Sequence, residues 1–171
     1  MIEAIDELKT RARLLSKRAE AGDADALVRI ASKRARDSAP TDPSYGECLR
    51  TIAIELGFSS FPHARRVLLG DESEADFGTF LYTTSCGAYL NNWQVDDRLA
   101  REVIDADGGT IVPYKRQFLV VGSGVLATLG LDPDDPDWEA VGRDLVRPRS
   151  AAARLRIYAK RLAAIPREIA A

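Results

Sequence analysis

The sequence predicts an α+β protein: a four-helix amino-terminal module, then a small sheet of about three strands with helices packed on it. Three observations lead there. Residues 1–70 repeat apolar positions at helical spacing, and a glycine or a proline-containing loop follows each apolar run. At "GDESEAD", residues 70–76, the composition turns acidic and polar. Beyond it, segments rich in aromatic and β-branched residues alternate with short helical patterns, and helices followed by mixed strands and helices belong to the α+β class. The reading divides the chain into an all-α module over 1–70 and a small α+β domain over 77–171, closed by a basic helix.

Each element has its own warrant. In residues 2–21, Ile5, Leu8, Ala12, Leu15 and Ala19 line one face of a helix, and Gly22 ends it. Asp23 or Asp25 caps a second helix with Leu27, Ile30 and Ala31 facing inward. "DSAPTDPSYG" (37–46) is a loop, because its prolines cannot continue a helix. A third helix places Leu49, Ile52, Ala53 and Leu56 at core spacing, and Gly57 stops it. The fourth begins after a serine cap, holds Pro62 in its first turn and ends at Gly70. "FGTFLYTT" (77–84) has the content of a strand. "DDRLAREVIDADGG" is a helix capped by Asp96 or Asp97 and stopped by Gly108 and Gly109. "TIVPYKRQFLVVG" reads as two strands, with Pro113 barring the first from the centre of a sheet. Ser123 caps a short helix, Asp135 or Asp137 caps a helical turn, and Ser150 caps a last helix with Leu155, Tyr158, Leu162 and Ile165 inward.

Composition excludes several classes of function. A chain of 171 residues, 46% hydrophobic and 29% charged, has the balance of a soluble globular protein large enough for its own core. There is no apolar run long enough to span a membrane, and the acidic start is unlike a secretory signal. Cys48 and Cys86 stand far apart, and with a single histidine they cannot form the usual metal sites. No cofactor or metal is expected, and the location expected is the cytoplasm. The net charge of −2 hides an asymmetry: residues 71–150 carry 7 basic and 15 acidic side chains, residues 151–171 carry 5 basic and 1 acidic. Association of the basic tail with the acidic body accounts for that distribution.

Within residues 8–69, "GDADALVRI" and "IAIELGFSSFPHARRVL" carry a resemblance. The segment resembles the helical module that precedes many bacterial ankyrin-repeat and glyoxalase-superfamily proteins, with Phe61 where that pattern has Trp. The resemblance implies a helical fold and a bacterial source. It implies no activity, since neither an ankyrin nor a glyoxalase pattern follows. The same segment has the turn spacing of a helix-turn-helix, and Lys9, Arg11, Arg13, Lys17, Arg18, Arg29, Lys33, Arg34 and Arg36 make the first two helices basic. Against DNA binding, the inward positions of the second helix fall on the polar His63 and Arg66, and Pro62 stands where base contacts begin. The basic residues are also interleaved with acidic ones, as on a solvated helix face.

The richest stretch for chemistry is "TTSCGAYLNNW", residues 83–93. Cys86 is a weak candidate nucleophile. Its only conceivable histidine, His63, lies in the other module, and the acidic cap of the next helix would oppose a thiolate. Tyr89, Asn91, Asn92 and Trp93 suit binding better: the amides donate and accept, and the rings offer flat area with a polar handle. The alternative is a structural Asx turn with Leu90 and Trp93 in the core. "PYKRQF" adds Tyr114, Lys115 and Arg116, a basic point in an acidic domain, able to meet a phosphate or carboxylate or to protect a strand edge. "DPDDPD" lacks the glycine and spacing of a calcium loop and reads as stiffened turning and capping.

These features favour a non-enzymatic interaction or regulatory protein that binds a protein or small ligand through its α+β domain. The first alternative is a small metal-independent enzyme or toxin-like effector using the 83–93 loop. The second is nucleic-acid binding through the helical module. The oligomeric state is open. An enzyme predicts a pocket on which Cys86, Asn91, Asn92 and Tyr114 converge. A binding module predicts an exposed apolar patch or an open sheet edge.

Overall fold

A computed structural model describes residues 3–34 and 42–167; Arg36 and part of the 37–46 loop lie outside them. Among the described residues the fold is α+β, with eight helices and one three-stranded antiparallel sheet. The helical half comprises α1 (Ala4–Glu20), α2 (Ala24–Ser32), α3 (Tyr45–Glu55) and α4 (Phe61–Leu69). Local chemistry sets their ends. Asp23 accepts from the Ala26 N–H to cap α2. Ser44 and Glu47 form a reciprocal capping box on α3. Ser60 caps α4, Pro62 sits in its first turn, and left-handed Gly70 closes it. The face read for α1 is the buried one: Ile5, Leu8, Ala12, Leu15 and Ala19 are all in the core. Burial of each such Leu or Ile stabilises by roughly 1.5–3 kcal/mol. In α2 the inward alanine is Ala26, one turn before Ile30 on the same face, and Ala31 is exposed.

Residues 77–84 form no strand. Gly78 has φ +65°, and the chain turns tightly, with the Tyr82 N–H donating to Thr79 O. Phe80 and Leu81 are both buried although adjacent, which strand alternation forbids when only one face is covered. The segment is pinned from elsewhere: the Thr79 N–H donates to Gly57 O at 2.8 Å. Gly57 has φ +92°, and a Cβ there would lie 2.3 Å from Thr79 Oγ1. Tertiary packing thus overrides strand propensity.

The first strand, β1 (Asn92–Gln94), arises inside the stretch read as a loop, after a 3-10 turn at Thr84–Ala88. Helix α5 (Asp97–Asp107), capped by Asp96, leads to β2 (Thr110–Tyr114) and β3 (Gln117–Val121). The order is β1-β3-β2, so β3 is central and Pro113 lies on a flanking strand. The register pairs Trp93 with Leu119 and Val112 with Leu119. That face joins the main core; the opposite face, with Ile111, Phe118 and Val120, packs under Ala100, Val103 and Ile104 of α5. Then follow α6 (Ser123–Thr128), α7 (Pro136–Ala140) and α8 (Ala151–Ala164). Asp135 caps α7 and Ser150 caps α8, but Ser123 does not cap α6: it is the first helical residue, and Gly122, which has no side chain to bond, holds the cap position.

Buried residues of α1–α4, β2, β3 and α6–α8 belong to one cluster, which therefore draws on both sides of 70–76, while Ala100 of α5 sits in a second, small one. Helix α8 packs on α1 and α4. The acidic turn and the basic tail meet as the charge distribution suggested: Arg156 pairs with Asp137, and Lys160 pairs with both Asp135 and Asp137. Among the described residues, no helix is long and apolar enough to cross a membrane.

Candidate functional site

The residues singled out in the sequence separate into three places. Cys86 is fully buried in the 3-10 turn, its Sγ 3.5 Å from Thr83 Oγ1. The fold brings a charge near it that local sequence did not announce, the buried Arg161 of α8. Burial pushes the Arg161 guanidinium down from its usual range, with a smaller opposing influence from Cys86. Arg161 donates to Phe80 O at 3.3 Å and to Leu129 O at 2.8 Å, so its role is to tie loops to α8. His63 does not reach Cys86. It is buried in α4, where Nδ1 accepts from the Ser59 N–H at 3.0 Å and Nε2 lies 2.6 Å from Asp76 O. Those partners fix the tautomer with the proton on Nε2. Polar though it is, His63 faces inward, because both ring nitrogens find backbone partners.

Tyr89 stands apart. Its ring lies against Gly124 at the start of α6, where a Cβ would come within 2.6 Å of it, and its hydroxyl accepts from Thr128 Oγ1 at 3.0 Å. Arg116 is exposed at the tip of the β2–β3 hairpin. Lys115, beside it, lies over the Tyr114 ring at 5.5 Å.

The third place is β1. Trp93 meets Tyr114 edge to face at 5.4 Å between ring centroids, and Tyr82 completes the triangle at 5.6 Å from Trp93 and 5.0 Å from Tyr114. The Asn91 Nδ2 donates to Cys86 O at 2.9 Å and closes the preceding turn, while its buried Oδ1 has no hydrogen-bond partner. Asn92 Oδ1 accepts from Gln94 Nε2. Asn91, Asn92 and Trp93 line an open groove of about 650 Å³ with Leu90, the Gly108–Gly109 turn and Val120 near the end of β3. Cys86 and Tyr114 do not line it.

Two apolar residues absent from the sequence-based site complete this surface. Leu90 is fully exposed at 104%, and Val95 is 75% exposed, with Trp93 at 43%. Burial of Leu90 in the core, the structural alternative for this stretch, does not occur. The only hint in the sequence was an apolar residue on either side of the asparagines and tryptophan. The edge itself is also distinctive. On the far side of β2 the chain returns to cover the sheet: the Ile111 N–H donates to Arg143 O and the Leu145 N–H to Ile111 O. Among the described residues, nothing pairs with the outer edge of β1.

Elsewhere, many charged side chains are held in ion pairs. Of the basic residues on α1 and α2, Lys9 pairs with Asp6, Arg11 with Glu7, Arg18 with Asp23 and Arg29 with Glu55, and Arg34, just after α2, pairs with Glu47. A cavity of about 590 Å³ between α1 and α8 is lined by Glu7, Arg11 and Arg167, which already bond to one another or to backbone carbonyls. No family model, no curated protein and no solved structure matches the chain.

Proposed function

We propose that this protein is a non-enzymatic interaction module that accepts an extended segment of a partner protein along the outer edge of β1. The observation that carries the reading is the open edge of β1 bordered by exposed Leu90, Trp93 and Val95. Unpaired strand edges template further strands, and natural proteins usually cover or charge them. Here one edge is covered by residues 143–145 and the other is flanked by apolar side chains. An added strand would satisfy the edge backbone, and the adjoining groove would take a side chain. Val95 lies outside that groove, so the apolar surface extends beyond what a small molecule seated in it would cover. An enzymatic reading has less support, since Cys86 and Tyr114 do not open into the groove beside Asn91 and Asn92.

The test is affinity capture from the native cell with the wild-type chain and with a Leu90→Lys, Val95→Lys double variant. Both positions are exposed, so the variant is expected to melt within about 2 °C of wild type. The reading expects a partner retained by wild type and lost by the variant. Equal recovery by both would sink it. A concentration-dependent dimer abolished by the variant would identify the partner as a second copy.

A further inference from the structure

Helix α8 buries Arg154, Tyr158 and Arg161 on one face, and the two arginines differ in how they are satisfied. Arg161 has two carbonyl acceptors and lies over the Phe80 ring. Arg154 is only 4% exposed, yet the one hydrogen bond of its side chain runs from Nη2 to Gly70 O at 2.9 Å. Its Nε is buried without a partner. Among the described residues, no aspartate or glutamate forms an ion pair with it. A buried guanidinium normally has a counter-ion, because desolvating an unpaired charge is costly.

Arg154 opens onto a cleft of about 540 Å³ that shares no lining residue with the groove beside Asn91 and Asn92. Phe77, Phe118, Val146 and Pro148 give this cleft apolar walls. Ala151, the first residue of α8, also lines it. Ser150 caps the Ala153 N–H, while the N–H groups of Ala151 and Ala152 have no acceptor among the described residues. A helix amino terminus and a counter-ion-free arginine therefore favour negative charge at the same end of the cleft. Acidic residues on the rim limit how much. Glu74 is held by Arg66, and Asp97 by Arg101 and Arg147, but Glu72 is exposed and has no basic partner among the described residues.

We propose that this cleft binds a small monocarboxylate with an apolar body. The carboxylate pairs with Arg154 near the start of α8, and the body lies against Phe77, Phe118 and Val146. The planar guanidinium fork matches a carboxylate. The apolar walls and the Glu72 charge disfavour a multiply charged, fully hydrated phosphate.

The full chain is titrated with benzoate, with uncharged benzamide and with inorganic phosphate, followed by amide NMR shifts and by melting temperature. Benzoate is expected to give saturable shifts at Val146 and Ala151 and to raise the melting temperature. Benzamide should bind at least about tenfold more weakly, as should benzoate to Arg154→Met, for loss of a charge-assisted pair. Glu72→Gln, an exposed change that leaves Arg154 in place, should tighten benzoate binding about twofold or more. Several results overturn the proposal: no saturable benzoate shift at concentrations up to about 20 mM, where even weak fragments bind; equal binding of benzamide; preference for phosphate; or undiminished binding by Arg154→Met. If Arg154→Met does not fold, an unchanged benzoate affinity in Glu72→Gln is by itself a refutation.

Discussion

His63 shows how a single residue escapes a pattern reading. Hydropathy places histidine outward, yet this ring is 4% exposed and bridges two backbone segments, Ser59 and Asp76. It also meets Phe58 edge to face at 5.6 Å. Replacing it with alanine leaves the Ser59 N–H and the Asp76 carbonyl without their ring partner and opens a cavity. The expected loss is about 2–4 kcal/mol in urea unfolding. His63→Gln, which can restore one bond, should lose less. Equal stability of His63→Ala and wild type would show that water replaces the ring at no cost. Arg11, Arg154 and Arg161 escaped for the same reason. Their acceptors are carbonyls far along the chain, Leu162, Gly70 and Phe80, and no local periodicity encodes such a partner. The apolar core positions were legible because burial of Leu8, Ile52 or Leu162 needs only a periodic face.

At the level of elements, caps and stops were legible where the signal is local. Asp23, Ser60, Asp96 and Ser150 each bond the N–H two or three residues on. Strand placement was less so. Residues 77–84 have strand-like composition but are held in turns by Gly57 and by the β2–β3 hairpin: the Phe77 N–H donates to Lys115 O, and the Lys115 N–H to Gly78 O. The candidate site was half legible. Asn91, Asn92 and Trp93 do share one groove, but Tyr89 is drawn away to α6, and Leu90 and Val95 become visible only once β1 is seen to be an edge. The hairpin itself carries a testable strain. Tyr114 pairs with Gln117 across a two-residue turn in which Lys115 has φ +52°, a region costly for a residue with a Cβ. Lys115→Gly should raise unfolding stability by about 0.5–1 kcal/mol, the relief of left-handed strain being partly offset by the entropy of glycine. Lower stability in the variant would mean that the Lys115 contact with Tyr114 outweighs the strain.

For the whole molecule, α8 is the element that joins the parts. Its basic residues reach the acidic turn before α7, and α1 holds the far end of the same helix. Arg11 donates to Leu162 O and Ile165 O, and Glu7 binds both Arg11 and Arg167. These contacts make stability depend on pH. Hydrogen bonds from Arg156 and then Lys160 hold the Asp137 carboxyl below the usual carboxylate range, against the opposing effect of its burial. For Glu7 burial is the largest influence and acts upward, but the bonds from Arg167 and Arg11 together leave it lowered. A carboxyl whose value is lower in the folded than in the unfolded chain stabilises the fold above its unfolded value. That contribution is lost as pH falls through the folded value. Unfolding stability should therefore be flat near pH 7 and decline below about pH 4, the ordinary carboxylate range. Asp137→Asn keeps the shape and removes the charge. It should lower the melting temperature by about 2–6 °C at pH 7, and its difference from wild type should shrink as the pH falls and wild-type Asp137 becomes protonated. A difference that stays constant with pH would assign the role of Asp137 to packing rather than charge, and would remove the electrostatic account of how the basic tail is held to the acidic body.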